Sequence, residues 1–337
     1  MKFEKPKSSI ERVVGTSEEE EKKILKERAE IFSDQIFEEL NSKEREKTSE
    51  EYEMIAIAND ATNGLRREFG MEKFDIPAKN IHIVPKEKWP KTETAGGIFN
   101  SSAQAVAIQD EGASRLYSLS TITHELLHFK SYSALQMTSS DTPELRGYRS
   151  GLKTISRDGK QAYFTELNEA ITEELTKRML SRSIGALKEN PIFAEEIKKT
   201  EAIIKKYPHA RNMRGTSLFT SDTLHAETRL PEFKHLIDYV LGRRSPLIKT
   251  EAHSYKRQRR MLNSLIEKVF LKNKDKFKDE KEVFDVFARA YMTGNLLPMG
   301  RLIEETFGEG SFRRIAELDM SSGLNSREKK ERAAGAT

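Results

Sequence analysis

The residues best suited to chemistry form the segment His124-Glu125-Leu126-Leu127-His128, which contains two of the chain's seven histidines. If this HExxH segment is helical, its two imidazoles lie one turn apart, within about 40° of each other around the axis. Such a pair can bind one Zn²⁺. Glu125 lies about 100° further round, where its carboxylate can hold a metal-bound water without occupying the metal. The alternative is two helix-surface histidines beside a glutamate.

A third metal ligand is expected on a second helix, where three carboxylates share one face. Glu166, Glu169 and Glu173 fall within about 60° of one another around the helix axis. Like charges one turn apart repel each other, so this stacking favours a compensating cation. The opposite face is apolar and is expected to pack into a core; it consists of Phe164, Leu167, Ile171 and Leu175. An ordinary solvated acidic face is the alternative interpretation.

Together, HELLH and the segment 168–173 (NEAITE) resemble the two active-site motifs of the gluzincin metallopeptidases, the thermolysin-like group. The resemblance is distant and covers only these two helices. It implies a zinc cofactor and a peptide or protein substrate. It also implies that His124, His128 and Glu169 are the zinc ligands, with Glu125 as general base and Glu173 orienting a ligand histidine. Because 41 positions separate His128 from Glu169, a close relative of thermolysin is not expected.

The mechanism implied by this resemblance uses a zinc-activated water. Glu125 takes a proton as the water attacks the scissile carbonyl, and then delivers a proton to the leaving amine. Gluzincins also use a tyrosine or histidine to stabilise the oxyanion. The candidates in this chain are Tyr148, Tyr163, His225, His253 and Tyr255. We favour Tyr255, because it opens a helical pattern in the region that would close the cleft.

A strand preceding the HExxH helix is expected to line the cleft, as the edge strand does in zincins. Either residues 95–100, which include Gly96 and Gly97, or residues 104–109 could be that strand. The paired glycines permit close backbone approach, so Gly97 is a candidate substrate-binding residue. A merely flexible glycine loop is the alternative.

The composition restricts the chemistry further. The chain has 337 residues, 58 Lys+Arg against 54 Asp+Glu, a net charge of +4 and no cysteine. Without cysteine, any metal must use nitrogen and oxygen ligands, and disulfides and cysteine nucleophiles are excluded. No apolar leader is visible at the N-terminus and no apolar run reaches 18 residues, so we expect a cytoplasmic protein without a membrane span.

The elements that would position the site form an α+β, predominantly helical fold with a zincin-like core. We predict an N-terminal helical region (1–50), a catalytic core (51–185), a C-terminal helical subdomain (186–320) and a disordered tail (321–337). Specific predictions are helices over 17–50, 50–69, 118–133 and 162–182, short strands at 81–84, 98–99 and 105–108, a hairpin at Asp158-Gly159, and loops over 131–147, 208–223 and 242–253.

Two other functions remain open on the sequence. The first is a non-catalytic peptide- or partner-binding protein on a zincin scaffold, although such a protein need not keep Glu125. The second is a nucleic-acid-associated protein that uses the basic clusters Arg243-Arg244, Lys256-Arg257, Arg259-Arg260 and Lys329-Lys330. Nucleic acid is the less favoured partner, because no aromatic residues are interleaved with these clusters. The sequence does not indicate an oligomeric state.

Overall fold

The computed structural model describes residues 8–34, 41–91, 93, 95–110, 112, 114–138, 143–206, 223–229 and 247–318. In these ranges the protein is an α+β fold in which helices predominate. The α-helices are α1 (Glu18–Asp34), α2 (Ser49–Glu68), α3 (Arg115–Lys130), α4 (Thr165–Glu189), α5 (Ala194–Lys206), α6 (Lys256–Lys272), α7 (Glu280–Thr293), α8 (Leu297–Phe307) and α9 (Ser311–Ala316). None of the helices in these ranges is long and apolar enough to cross a membrane.

The strands of the described residues form one larger and two smaller sheets. They are β1 (Ile10–Val14), β2 (Ile81–Pro85), β3 (Gly97–Asn100), β4 (Ala105–Asp110), β5 (Ser133–Met137), β6 (Leu145–Ser150), β7 (Lys153–Ile155), β8 (Ala162–Tyr163), β9 (Thr223–Arg229) and β10 (Leu247–Ala252). The sheet orders are β1-β5-β6-β7-β8, β2-β4-β3 and β10-β9. Among these strand pairs, β1–β5 and β2–β4 are parallel, and the other pairs are antiparallel.

The two helices that carry the motifs are each buried on an apolar face. In α3, Leu119, Leu126 and Phe129 are fully buried and contribute to a core that also includes α2, the β2-β4-β3 sheet and α5. In α4, Leu167 and Ile171 contribute to a second core with α6, α7 and α8. The predicted apolar face of α4 is therefore confirmed, and the polar faces of α3 and α4 turn towards each other.

Local capping explains where the HExxH helix begins. The Ser114 side chain accepts a hydrogen bond from the Tyr117 backbone N–H (3.0 Å), which fixes the first turn of α3. The helix therefore begins three residues earlier than the periodicity predicts. Helix α4 follows Phe164, whose left-handed φ of 58° turns the chain sharply out of the β7–β8 hairpin. This hairpin, the helix after residue 50 and the strands of the β2-β4-β3 sheet were predicted correctly.

The prediction of continuous helix over 17–50 was wrong. Residues 42–48 are not helical, and the Arg45 backbone N–H donates to the Ile83 carbonyl at the outer edge of β2 (3.0 Å). The Arg45 guanidinium pairs with Glu51 and Asp110, each at 2.7 Å. The charged Arg45 side chain therefore forms ion pairs that hold this segment against the sheet. Residues 35–40 lie outside the described residues.

Two predicted loops also contain strands. The segment 131–147 holds β5 and the start of β6, and the segment 242–253 holds β10. Local patterns miss them because β5 pairs with β1, more than a hundred positions away, as well as with β6, and β10 pairs with β9 across residues 230–246. Of the predicted loop over 208–223, residue 223 begins β9, and the remaining residues lie outside the described residues, as does the predicted tail.

The packing around Gly151 generates a stability prediction. Gly151 has φ +59°, and a Cβ there would lie 2.4 Å from Tyr291 Cε2 and 2.5 Å from Asn168 Oδ1. We expect Gly151→Ala to lower the free energy of unfolding by about 2–4 kcal/mol, through backbone strain and overpacking, as measured by urea denaturation.

Gly185 provides the matched control. It lies inside α4 with no heavy atom within 4 Å of an added Cβ. Gly185→Ala should therefore raise the free energy of unfolding by about 0.5–1 kcal/mol. Equal effects of the two substitutions would contradict the packing described for Gly151.

Candidate metal centre

The HExxH helix places its two histidines side by side at the bottom of a cleft. His124 is 6% and His128 is 8% exposed. Their Nε2 atoms lie 3.1 Å apart, and the two ring centroids are 4.8 Å apart. The helical spacing predicted from the sequence therefore brings both imidazoles to one point.

Helix α4 brings Glu169 to the same point. Glu169 Oε2 lies 3.4 Å from His124 Nε2 and 3.3 Å from His128 Nε2. Among the described residues, these three could together hold a metal ion, and we call His124, His128 and Glu169 the metal group. Ligand atoms bound at 2.0–2.1 Å in a tetrahedral zinc site are about 3.3 Å apart. The three donor atoms could therefore hold a metal ion, and their spacing is compatible with Zn²⁺.

The Glu173 carboxylate holds His124 in the orientation needed for this spacing. His124 Nδ1 donates to Glu173 Oε2 at 2.7 Å, which leaves Nε2 directed at the group. Glu173 Oε1 accepts from His253 Nδ1 (2.7 Å) and from the Ser254 backbone N–H (3.1 Å). A carboxylate on the far nitrogen of a ligand histidine fixes its tautomer and its ring orientation.

Glu125 lies between the histidines and strand β3. It is 6% exposed, and a Cβ on Gly97 would be only 2.6 Å from Glu125 Cγ. Gly97 is therefore required for close approach of the backbone to the glutamate. The sheet order also decides between the two predicted cleft strands, because β3 is an edge strand whereas β4 is central.

The free edge of β3 faces the cleft. The Gly96 carbonyl accepts from the Gln109 N–H (2.8 Å), so Gly96 directs its backbone groups towards β4. Because hydrogen bonding alternates along an antiparallel strand, the backbone groups of Gly97 and Phe99 point to the free edge. Two adjoining cavities of about 290 and 380 Å³ meet here, and Ala95, Gly97, Glu125 and Tyr255 line both.

Among the predicted oxyanion donors, Tyr255 is the one that contacts the metal group. Tyr255 is the residue immediately before α6, and its backbone is left-handed (φ 53°). Its ring stacks on that of His124, with the two ring centroids 5.6 Å apart. Two other candidates lie nearby: His253 bonds to Glu173 through Nδ1, and Tyr148 lines the larger cavity together with Glu125, His128 and Glu169. The Tyr163 hydroxyl instead donates to Gln161 on the surface, and the side chain of His225 lies outside the described residues.

Glu166 shares the predicted face of α4 but does not reach the metal group. It is 4% exposed, and its Oε2 has no hydrogen-bond partner in the described structure.

The charges of the site perturb one another strongly. Burial opposes the charge on each group, yet hydrogen bonds to Glu169 and Glu173 raise the pKa of His124 well above its usual range. The histidines likewise outweigh burial at Glu169 and lower its pKa well below that of a free carboxyl. Burial raises the pKa of Glu125, as suits a carboxylate that exchanges protons. Burial and nearby carboxylates raise the pKa of Tyr255, so its hydroxyl stays protonated.

Sequence reasoning missed the groups that hold α4 against α7 and against the turn between β6 and β7. The Tyr291 hydroxyl of α7 is fully buried and accepts from Thr172 Oγ1 (3.0 Å), between Glu169 and Glu173 on α4. Asn168 Oδ1 accepts from the Leu152 backbone N–H (2.9 Å) at the turn between β6 and β7. The Asn168 position was visible in the NEAITE motif, but nothing in the sequence assigns a partner to Tyr291.

The chain matches no protein-family profile, no curated protein and no solved structure.

The contrast between two adjacent glutamates tests the role of Glu173. Glu173→Gln should weaken zinc binding about 10- to 100-fold, because an amide holds the His124 imidazole less firmly than a carboxylate does. Competition with a chromophoric chelator measures this affinity. Glu174→Gln is the control, because Glu174 pairs with Arg178 and Arg259 away from the metal group. Equal zinc affinities of the two variants would refute the positioning role.

Proposed function

We propose that this protein is a zinc-dependent peptidase of gluzincin type with a zincin-like core. The observation that carries the proposal is the near-tetrahedral spacing of His124 Nε2, His128 Nε2 and Glu169 Oε2, at 3.1–3.4 Å from one another. Nitrogen and oxygen donors of this kind, with one coordination position left open, are typical of catalytic zinc sites. A cytoplasmic location is part of the same proposal.

Bound zinc would supply Lewis-acid polarisation of the substrate carbonyl and lower the pKa of a coordinated water to near neutrality. The chain's own residues would supply binding and proton transfer. Gly97 and Phe99 at the free edge of β3 would pair with an extended peptide and place its backbone beside Glu125. The scissile peptide bond would then lie where the two cavities meet, and the substrate side chains on either side of that bond would enter the cavities.

Glu125 would act as the general base and then as the general acid. Its burial and raised pKa suit a carboxylate that takes a proton from the attacking water and returns one to the leaving amine. Tyr255 would donate a hydrogen bond to the oxyanion of the tetrahedral intermediate, because its hydroxyl stays protonated and its ring lies against His124. His124, His128 and Glu169 would hold the metal.

Two variants should distinguish the residues that bind the metal from the residue that takes part in hydrolysis. Purified without chelators, the wild-type protein should contain about one zinc per chain, as expected for one three-ligand site. Glu125→Gln should keep the zinc and lose about 10²- to 10⁴-fold in peptide hydrolysis, because it lacks the base. His124→Ala should lose both. Elemental analysis and a quenched-fluorescence peptide library provide the two measurements.

A wild-type protein that binds no zinc would contradict the metal site itself. A zinc-loaded wild type that binds peptides but cleaves none of the library would instead favour a non-catalytic peptide-binding protein.

Tyr255→Phe tests the oxyanion donor. The variant keeps the ring that stacks on His124 but lacks the hydroxyl, so kcat should fall about 10²- to 10³-fold with little change in KM. Tyr163→Phe is the matched control, because the Tyr163 hydroxyl bonds only to Gln161 on the surface. A Tyr255→Phe enzyme with unchanged kcat would exclude Tyr255 from the reaction.

A further inference from the structure

The larger of the two cavities reaches from the metal group to the hairpin of β6 and β7. This cavity of about 380 Å³, which we call the Lys153 cavity, is lined by Glu125 and Glu169 at one side. The hairpin forms another side of it and contributes Gly147, Tyr148, Arg149, Ser150, Lys153 and Ile155. A peptide bound at the metal group would therefore have neighbouring groups close to this hairpin.

Lys153 is the cation of this hairpin that a substrate can use. Its side chain is only partly buried, so a ligand can reach it, and its Nζ has no hydrogen-bond or ion-pair partner in the described structure. The neighbouring cation Arg149 is already engaged, because its guanidinium donates to the carbonyls of Gly151 (2.8 Å) and Gly294 (2.7 Å) and lies over the Tyr132 ring. The positive charge of Lys153 is therefore available for binding.

The backbone of Lys153 is held beside the metal group. Its N–H donates to Asn168 Oδ1 (3.3 Å), and the Leu152 N–H donates to the same atom (2.9 Å). Asn168 directly precedes Glu169 on α4. The start of the lysine side chain is thus fixed near the metal group, while its flexible stem lets the ammonium meet a ligand without one required geometry.

Tyr148 supplies a second donor on the same hairpin. The pairing of β6 with β5 skips this residue, because Ala134 pairs with Arg149 and Leu135 pairs with Gly147. Such a bulge re-aims a side chain, and Tyr148 lines the Lys153 cavity. It is partly buried, and its hydroxyl has no hydrogen-bond partner in the described structure. A carboxylate only accepts hydrogen bonds, so it matches a wall that offers an ammonium and a hydroxyl.

We propose that the Lys153 cavity selects substrates with a carboxylate near the scissile bond, and that Lys153 binds this carboxylate. This inference rests on the proposed peptidase function. The carboxylate can belong to an acidic side chain or to the C-terminal end of a short peptide, since the two groups have the same charge and acceptors. A charge-assisted hydrogen bond of this kind is stronger than one between neutral groups, and water screens it less inside a cavity than on an open surface.

The lining of this cavity also contains three carboxylates, Glu93, Glu125 and Glu169, which a basic substrate group could meet. Such a group would compete with the metal for Glu169 and with the attacking water for Glu125, because the proposed mechanism assigns these two carboxylates to those roles. Glu93 is solvent-exposed, so an ion pair with it would contribute little. An acidic substrate is therefore favoured over a basic one, and the experiment compares the two directly.

The test changes the charge of the substrate at nearly constant size. In a constant quenched-fluorescence peptide, each position near the cleaved bond is occupied in turn by Glu, Gln or Lys. A second series uses short peptides that end in a free carboxylate or in an amide, with cleavage followed by mass spectrometry. For the zinc-loaded wild type we expect kcat/KM to be at least about tenfold higher for the carboxylate than for the amide in one of the two series. The series that shows the preference identifies the source of the carboxylate.

Two substitutions of Lys153 discriminate between selectivity and a general role. Lys153→Met removes the charge and keeps a long side chain, so the carboxylate-to-amide ratio should fall to about one while zinc content and cleavage of the amide peptide change little. Lys153→Glu reverses the charge and should favour Lys over Glu at the same substrate position. Lys160→Met is the matched control, because Lys160 is exposed and lies outside the lining of the cavity. If Lys153→Met slows carboxylate and amide peptides by the same factor, the selectivity proposal is wrong.

The remaining outcomes separate this inference from the proposed function. Cleavage by the wild type without a carboxylate preference, or with a preference for Lys, would overturn the selectivity and leave the peptidase intact. Fluorescence anisotropy with zinc-loaded Glu125→Gln measures binding without turnover. A carboxylate preference in that Kd, without cleavage by the wild type, would support the selective cavity and contradict the peptidase. A zinc-loaded protein that neither binds nor cleaves any peptide of either series would overturn both.

Discussion

The arrangement of the site depends on one buried carboxylate. Glu173 of α4 is 4% exposed and accepts hydrogen bonds from His124 of α3 and from His253 and Ser254 at the start of α6. These groups come from three parts of the chain that are widely separated in sequence. A buried carboxylate without such partners would be strongly destabilising, so the three segments are required to meet at this point. The pKa of Glu173 is lowered accordingly by the two imidazoles, in spite of its burial.

Two hydrophobic cores hold the helices on either side of this carboxylate. The outer face of α3 packs with α2 and the β2-β4-β3 sheet, and α4 packs with α6, α7 and α8. The polar faces of α3 and α4 therefore face each other, and their buried histidines and carboxylates hydrogen-bond to one another. This explains why His124, His128, Glu169, Glu125 and Tyr255 lie close to one another. It also explains why Tyr255 and His253, from the C-terminal half, reach a site whose other residues lie between 97 and 173.

The sequence was sufficient to predict the two motif helices and their facing sides, because helical periodicity depends on neighbours within one turn. Periodicity also placed His124 beside His128, whereas Glu169 was singled out from the three carboxylates of its helix only by the resemblance to the gluzincin motif. It was not sufficient for β1, β5, β9 and β10, whose pairing depends on contacts far along the chain. Nor did it predict that Glu173 accepts from His253 as well as from His124. Contacts of this kind are decided by how packed elements meet, and no local pattern in the sequence encodes them.

We propose that two imidazoles and one carboxylate form a zinc site at the meeting point of α3 and α4. X-ray absorption spectroscopy at the zinc edge of the purified, zinc-loaded protein tests this proposal. We expect a first shell of nitrogen and oxygen at about 2.0–2.1 Å, with the outer-shell scattering of two imidazole rings. In His128→Ala the imidazole scattering should fall to that of one ring, or zinc should be lost altogether. A first shell without imidazole, or a spectrum that His128→Ala leaves unchanged, would show that the proposal is wrong.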